Sequence, residues 1–231
     1  MWLMTDYLVT SLYSLKVSTA TSSGGKTLLV PTPYALKMAL LDAGFRLLGA
    51  AQAETIWPTV RDLQVACRLP QQAVITNLFT RILKPSRNPA PAGTPEAGPL
   101  GRTIGYREYV HFGGPLGIAL GVPTDSVPDW LPPLMLGINY LGKRGGFIQA
   151  TCLPETTPDL PPGMVRLNPP GGQTQFAMQG LLQLLDDCGD KMSFAQANIY
   201  SGKSVRAGKD RLSYPIVIPY RLARSSKSYS L

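Results

Sequence analysis

The chain has a single histidine, His111, and only three cysteines, Cys67, Cys152 and Cys188, in 231 residues. The cysteines lie far apart with no CxxC pair, which excludes a zinc ribbon and argues for free, mostly buried thiols in a reducing compartment. A metal site would therefore need carboxylates, and these are scarce, with 14 Asp and Glu against 22 Lys and Arg. Asp186, Asp187 and Asp190 cluster at an expected helix end, but nothing with ligand-like spacing joins them. No metal and no cofactor is expected. Long apolar runs are missing too. The stretch 28–50 contains Lys37, Asp42 and Arg46, so it reads as an amphipathic helix and not as a membrane span. Asp6 interrupts the start and no basic segment precedes an apolar one, so no secretory signal is expected and the chain reads as soluble and cytoplasmic. Phosphate-loop glycines are lacking as well. "GGKT" at 24–27 and "SGKS" at 201–204 end like the motif, but the required earlier glycine is Ala20 in one and Ala197 in the other, which argues against nucleotide hydrolysis.

What is present is a globular composition, 44% apolar and 16% charged, with 23 glycines and 22 prolines that predict many turns. The net charge of +8 is uneven. Residues 1–60 are nearly balanced, 61–111 carry seven cations against three anions, 112–190 three against seven, and 191–231 eight against one. An acidic middle followed by a strongly basic end predicts two faces with different partners.

Alternation and β-branched content predict a first strand over 6–18. Thr32-Pro33 supplies an N-cap and a first-turn proline, and Leu36, Ala39, Leu40, Ala43 and Leu47 carry the spacing of a helix lying on a sheet. A second short helix is expected over 53–66, broken near Pro58. Residues 72–83 read as a strand running into "KPSRNPAPAGTPEAGPLGRT", a structureless excursion with five prolines. Residues 105–112 and 116–122 look like a paired return. A proline-started helix follows within 123–142, then a strand at 147–153, a proline-rich connection, and a strand candidate in "YPIVIPYRLA". Strand, helix, strand, long loop, strand, helix, strand is the order of an α+β, ferredoxin-like (RRM-like) domain. Its expected extent is 1–150, with a β-rich basic portion over 151–231 packed on it.

His111 lies in a predicted strand beside Tyr109, and the pair is the one candidate for general acid–base chemistry. The cations form clearer groups. Arg81, Lys84 and Arg87 lead into the proline-rich excursion, and Arg102 and Arg107 lead out. In Gly142-Lys143-Arg144-Gly145-Gly146 the glycines permit close backbone approach, so that exposed N–H groups and two cations could hold a sugar-phosphate turn. The alternative reading is a helix C-cap with cations placed against the dipole. Near the end, Lys203, Arg206, Lys209 and Arg211 interleave with Tyr200 and Tyr214, the mixture a single-stranded nucleic-acid groove requires. Together these favour an RNA binder over an enzyme. The other readings are a metal-independent endoribonuclease and a structural, basic RNA-associated protein.

The combination of a first strand, "VPTPYALKMALLDA", a basic-rooted loop returning as "GYREYVHF", "LGKRGGF" and a closing "YPIVIPYRL" resembles a family of CRISPR-associated RAMP subunits, the Cas family numbered five, over about 5–152 and the closing motif. The resemblance implies an RRM-like domain with a projecting thumb hairpin at about 76–108. It also implies a non-catalytic role anchoring the 5′ handle of a guide RNA in a Cascade-type interference complex. The partners it implies are the guide RNA, the backbone and large subunits, and target DNA near the protospacer-adjacent end, with no membrane. One branch of that family cuts its precursor RNA with a Tyr, Lys and His set. No lysine is adjacent to His111 here, so a separate nuclease is expected to cut.

Overall fold

The computed structural model describes residues 1–18, 20, 25–95, 97–143, 145–172, 179–226 and 228–231. In chain order the elements are β1 (Trp2–Val9), α1 (Pro33–Leu48), α2 (Ala50–Asp62), β2 (Gln64–Arg68), β3 (Ala73–Pro85), β4 (Leu100–Phe112), β5 (Leu116–Gly121), α3 (Leu131–Leu136), β6 (Ile148–Ala150), β7 (Glu155–Thr157), β8 (Val165–Arg166), β9 (Leu181–Cys188), α4 (Phe194–Ala197), β10 (Arg211–Ile218), β11 (Arg224–Ser225) and β12 (Tyr229–Ser230). The fold is mixed α/β with several antiparallel sheets. The main sheet runs β6-β1-β5-β2-β8, with β7 also on β1; a second runs β11-β12-β3-β4; β9 and β10 form a third.

α1 begins where the sequence places it. The Thr32 hydroxyl accepts from the Ala35 amide at 3.1 Å, and Pro33 occupies the first turn, where its missing N–H leaves nothing unsatisfied. Leu36, Ala39, Leu40 and Ala43 are buried, whereas Leu47, also expected on that face, is exposed. Tyr7 on β1 donates its hydroxyl to the Met135 carbonyl at 2.8 Å, tying the sheet to α3. One apolar core runs from Leu3 to Leu231. β7 and β8 add to the main sheet, and β9 packs against α1.

Several expected boundaries are corrected. The first strand is Trp2–Val9 rather than 6–18; past Thr10 the chain leaves the sheet and forms only isolated bridges, Tyr13 opposite Val110 and Lys16 opposite Thr27, among the described residues. Pro58 does not break α2, because it and Glu54 face water, where the carbonyl that loses its donor is hydrated, while Ala53, Ile56, Trp57 and Val60 anchor the opposite face. The end of the expected helix is instead β2, an interior strand of the main sheet. Residues 105–112 and 116–122 do not pair with each other: β4 pairs with β3, and β5, buried along its whole length, lies between β1 and β2. α3 has six residues and stops at Gly137. Asp186 and Asp187 lie in β9, not at a helix end.

The proline-rich excursion is shorter than expected. β3 and β4 pair without a bulge from Ala73 opposite Phe112 to Pro85 opposite Leu100, so the strands continue into it. At about 3.4 Å per residue, the 13-residue strands make a hairpin about 40 Å long. Ala73, Ile75, Glu108, Val110 and Phe112 are buried at its base, and none of 77–85 or 100–107 is buried.

Candidate nucleic-acid interface

The glycine turn at 142–146 is strapped to the segment leaving β1. The Lys143 amide donates to the Ser14 carbonyl at 2.9 Å, the Ser11 hydroxyl donates to the Gly145 carbonyl at 2.6 Å, and the Phe147 amide donates to the Ser11 hydroxyl at 2.7 Å. Two glycines are required here. Gly142 has φ +75°, and a β-carbon on it would sit 2.6 Å from the Ser14 carbonyl oxygen. At Gly146 a β-carbon would lie 2.5 Å from the Leu141 carbonyl oxygen, and the Gly146 carbonyl accepts from the Leu141 amide at 2.9 Å across the same close approach. Arg144 lies outside the described residues.

The strap joins the turn to the hairpin base. Tyr13 exchanges backbone hydrogen bonds with Val110 at 2.9 and 2.8 Å, and Arg107 Nε donates to the hydroxyl of the buried Ser14 at 2.7 Å. Ser14 thus holds the turn through its carbonyl and the hairpin through its side chain. Lys143 Nζ donates to the Tyr109 hydroxyl at 2.8 Å. Nζ also lies 5.4 Å from the ring centroid; the two distances together put it beyond the hydroxyl and in line with the ring, not over its face. The contact is a hydrogen bond rather than a cation–π interaction.

Strand parity sorts the hairpin's cations. Cross-strand partners share a face, and the face alternates along each strand. Lys84, opposite Gly101, lies on the same face as Arg107, Tyr109 and His111. Arg81 and Arg102 lie on the other face, together with the exposed Phe79, Leu83 and Ile104. Arg87 sits in the tip between the strands. The structure therefore brings Lys143 to Tyr109, with Arg107 and His111 on the same strand face; Lys84 shares that face but lies near the far end of the hairpin, and Arg81 and Arg102 lie on the other face. Lys16 adds to the group: partial desolvation, followed by the neighbouring charges of Arg107 and Lys84, holds its ammonium below the usual lysine range. Among the described residues, Lys84, Arg107 and Lys143 have no carboxylate partner. Glu108, the acid between Arg107 and Tyr109, turns to the buried face and accepts from the Thr27 amide at 2.9 Å. A surface that carries several cations of one sign attracts a polyanion, whose binding relieves their repulsion.

Sequence reasoning missed Ser11, Ser14 and Lys16. Serines in a loop carry no signal of their own, and their role depends on the pairing of the 10–16 segment with β4. The C-terminal cations lie elsewhere. Lys203, Arg206 and Lys209 are exposed in the loop before β10. Arg211 is already engaged: its guanidinium pairs with Asp186 and lies 4.0 Å from the centroid of Tyr34.

A cleft of about 500 Å³ lies away from this surface and contains the buried Lys37–Asp187 ion pair at 2.7 Å, near Arg61, Gln64 and Tyr214. Asp187 also accepts from Asn168 Nδ2 at 2.6 Å and from the Cys188 amide at 2.7 Å. Lys37 donates in addition to the Arg61 carbonyl at 2.6 Å. With both charges satisfied internally, this network is a structural joint between α1, the end of α2 and β9. Among the described residues, no helix is long and apolar enough to cross a membrane.

No family model matches the chain. It is 25% identical over 232 residues to the CRISPR-associated protein Cas5 of Archaeoglobus fulgidus, an alignment covering 98% of this chain and 96% of that protein. In fold it is similar to a chain of a CRISPR RNA-guided surveillance complex, with a TM-score of 0.50 and 13% identity over 95% of this chain and 90% of the other. A CRISPR protein from Archaeoglobus fulgidus aligns over 99% of this chain and 90% of its own at 11% identity and a TM-score of 0.42. The resemblance to the Cas family numbered five, read from sequence motifs, is borne out by a relative that matches along nearly the whole chain.

Proposed function

We propose that this chain is an RNA-binding subunit of a CRISPR RNA-guided complex, holding the 5′ handle of the guide RNA against the base of the β3–β4 hairpin. The observation that carries the reading is the grouping of Lys143 and Arg107 near that base, both held through Ser14, with Lys16 within the electrostatic reach of Arg107 and with Lys84 farther along the same face of the hairpin. Phosphates are the ligand such a surface favours, because guanidinium and ammonium groups meet them at little desolvation cost in an open groove. The likeness to a CRISPR-associated relative and to a chain of a CRISPR RNA-guided surveillance complex supports a guide RNA as the source of that polyanion.

The arrangement of the main sheet supports the ferredoxin-like reading. In β6-β1-β5-β2 every neighbouring pair is antiparallel, and α1 and α2 make the crossover from β1 to β2. The β3–β4 hairpin is then an insertion between the second and third strands of that domain and serves as the thumb. The face that is buried at its base and exposed beyond it, bearing Phe79, Leu83 and Ile104, meets the neighbouring backbone subunit, and the RNA lies on the opposite, cationic face.

The test is binding of labelled repeat-derived RNA, followed by fluorescence anisotropy across a salt series. Lys143→Ala and Arg107→Ala each weaken binding and lower the salt slope by about one. Arg81→Ala, on the opposite face, leaves the slope near that of wild type. A slope untouched by Lys143→Ala and Arg107→Ala refutes the assignment.

One observation favours a second reading. The Lys143–Tyr109 hydrogen bond, with His111 two residues along the same strand face, assembles a lysine, a tyrosine and a histidine that sequence adjacency did not show. Such a set could move the protons of a metal-independent RNA cleavage. We retain the non-catalytic reading because, among the described residues, no side-chain hydrogen bond orients His111 toward the Lys143–Tyr109 pair. Incubation of the same RNA in EDTA decides: cleavage by wild type that His111→Ala abolishes supports the ribonuclease, and intact RNA supports the binder.

A further inference from the structure

The loop 198–210, between α4 and β10, presents the two most exposed large apolar side chains among the described residues, Tyr200 at 88% and Ile199 at 82%. They are not exposed through want of local order. The Tyr200 amide donates to Asn198 Oδ1 at 3.0 Å, the Ser201 amide to the Asn198 carbonyl at 3.0 Å, and the Lys203 amide to the Ser201 hydroxyl at 3.1 Å. The Ser201 hydroxyl donates to the Ala195 carbonyl in α4. At the far end, Arg206 donates its amide and its Nε to the buried Asp210 carboxylate at 2.9 and 3.2 Å. α4 itself is fixed to the helical layer by the Phe45–Phe194 ring contact at 5.8 Å, and just before it Trp57 Nε1 donates to the Met192 carbonyl at 3.0 Å. A loop held at both ends thus carries a tyrosine and an isoleucine outward.

Charge indicates what would cover them. Residues 199–209 contain Lys203, Arg206 and Lys209 and no acid. Arg206 is paired within the loop, whereas Lys203 and Lys209 are exposed and have no carboxylate partner among the described residues. An aromatic face beside unpaired cations is complementary to an unpaired base with its flanking phosphates. A protein partner would need acidic groups placed opposite two lysines, and nothing in the loop orients it for that.

We propose that the 198–210 loop is a second nucleic-acid contact, separate from the hairpin base, in which Tyr200 stacks on an unpaired base of single-stranded RNA while Lys203 and Lys209 meet its phosphates. Only the choice of RNA over DNA rests on the function proposed above. The stacking itself rests on the loop.

The test uses the full chain and a 15-nucleotide RNA carrying one 2-aminopurine, with a DNA of the same sequence as the second arm. Tyr200→Ala should weaken RNA binding about tenfold and remove the stacking quench of 2-aminopurine, with an unchanged salt slope because no charge is lost. Tyr200→Phe should retain both affinity and quench. The exposed position makes loss of folding in Tyr200→Ala easy to exclude by thermal melting. RNA affinity unchanged in Tyr200→Ala overturns the proposal, and if the same variant fails to co-purify with partner proteins the loop is a protein contact instead. An equal loss on the DNA arm overturns the choice of RNA. If Lys143→Ala leaves the salt slope intact while Tyr200→Ala still weakens binding, the hairpin-base assignment fails and this one stands.

Discussion

Replacing Gly142 by alanine tests the strap that orients Lys143. The residue has φ +75°, a conformation that costs an L-residue about 1–2 kcal/mol. The added β-carbon would also lie 2.6 Å from the Ser14 carbonyl oxygen, too close for either backbone to stay in place. Separation breaks the Lys143–Ser14 hydrogen bond, worth about 1 kcal/mol, so the total loss is about 2–3 kcal/mol. Gly145 provides the control: its φ is +96°, but nothing lies within 4 Å of its β-carbon position, so Gly145→Ala should lose only the conformational part, about 1–2 kcal/mol. Urea denaturation followed by far-UV circular dichroism measures both changes from the midpoint shift at constant slope. In RNA binding, Gly142→Ala should approach the Lys143→Ala phenotype, because the ammonium is carried away from Tyr109, and Gly145→Ala should stay nearer wild type. Equal stability and equal RNA affinity for the two variants would refute the argument that close approach to Ser14 is what makes the glycine necessary.

Removal of Asp187 alone (Asp187→Ala) should cost about 3–5 kcal/mol, since Lys37 is left charged and buried, whereas Lys37→Met with Asp187→Leu should come within about 1 kcal/mol of wild type or exceed it; paired urea titrations separate the two. Burial pushes the Asp187 carboxyl above its ordinary value, against the opposing pull of Lys37, Asn168 and the Cys188 amide. The folded state therefore holds that proton more tightly than the unfolded chain. Asp187's contribution to stability should fall as pH rises from the ordinary aspartate value through the raised one, and Asp187→Asn should flatten that part of the stability–pH curve. Iodoacetamide should modify only Cys152 in the native protein and all three cysteines in denaturant, read by intact mass. Cys67 and Cys188 are buried, and burial raises both thiols, that of Cys188 to about 12.

Local chemistry was legible where a signal is short-range. Thr32-Pro33 opens α1 because capping needs only a hydroxyl and a ring at adjacent positions, and the apolar spacing that follows fixes which face is buried, with Leu47 as the exception. The β3 strand and the glycine turn were legible for the same reason. Residues 53–66 were harder. Pro58 carries a strong local breaking signal, yet tertiary burial of Trp57 and Val60 overrides it, and the residues beyond are drawn into β2 by pairing with β5. The prolines of 84–103 likewise masked strand pairing that Lys84 and Pro85 make with residues 15 or more positions away.

The sequence by itself determined that the chain is basic at both the hairpin and the C-terminal end, that its glycines frame Lys143, and that its thiols form no CxxC site. Only the tertiary structure decided which cations share a face. Arg81 and Lys84 are three residues apart yet occupy opposite faces, because a strand reverses its side chains at every step and the unbroken register carries that parity to the hairpin's end. Lys143 and Tyr109, 34 positions apart, meet because both are fixed to the segment around Ser14, one through its carbonyl and the other through β4. A contact of that kind depends on register and on a backbone approach that a glycine permits, and neither is a property of any stretch of residues read alone.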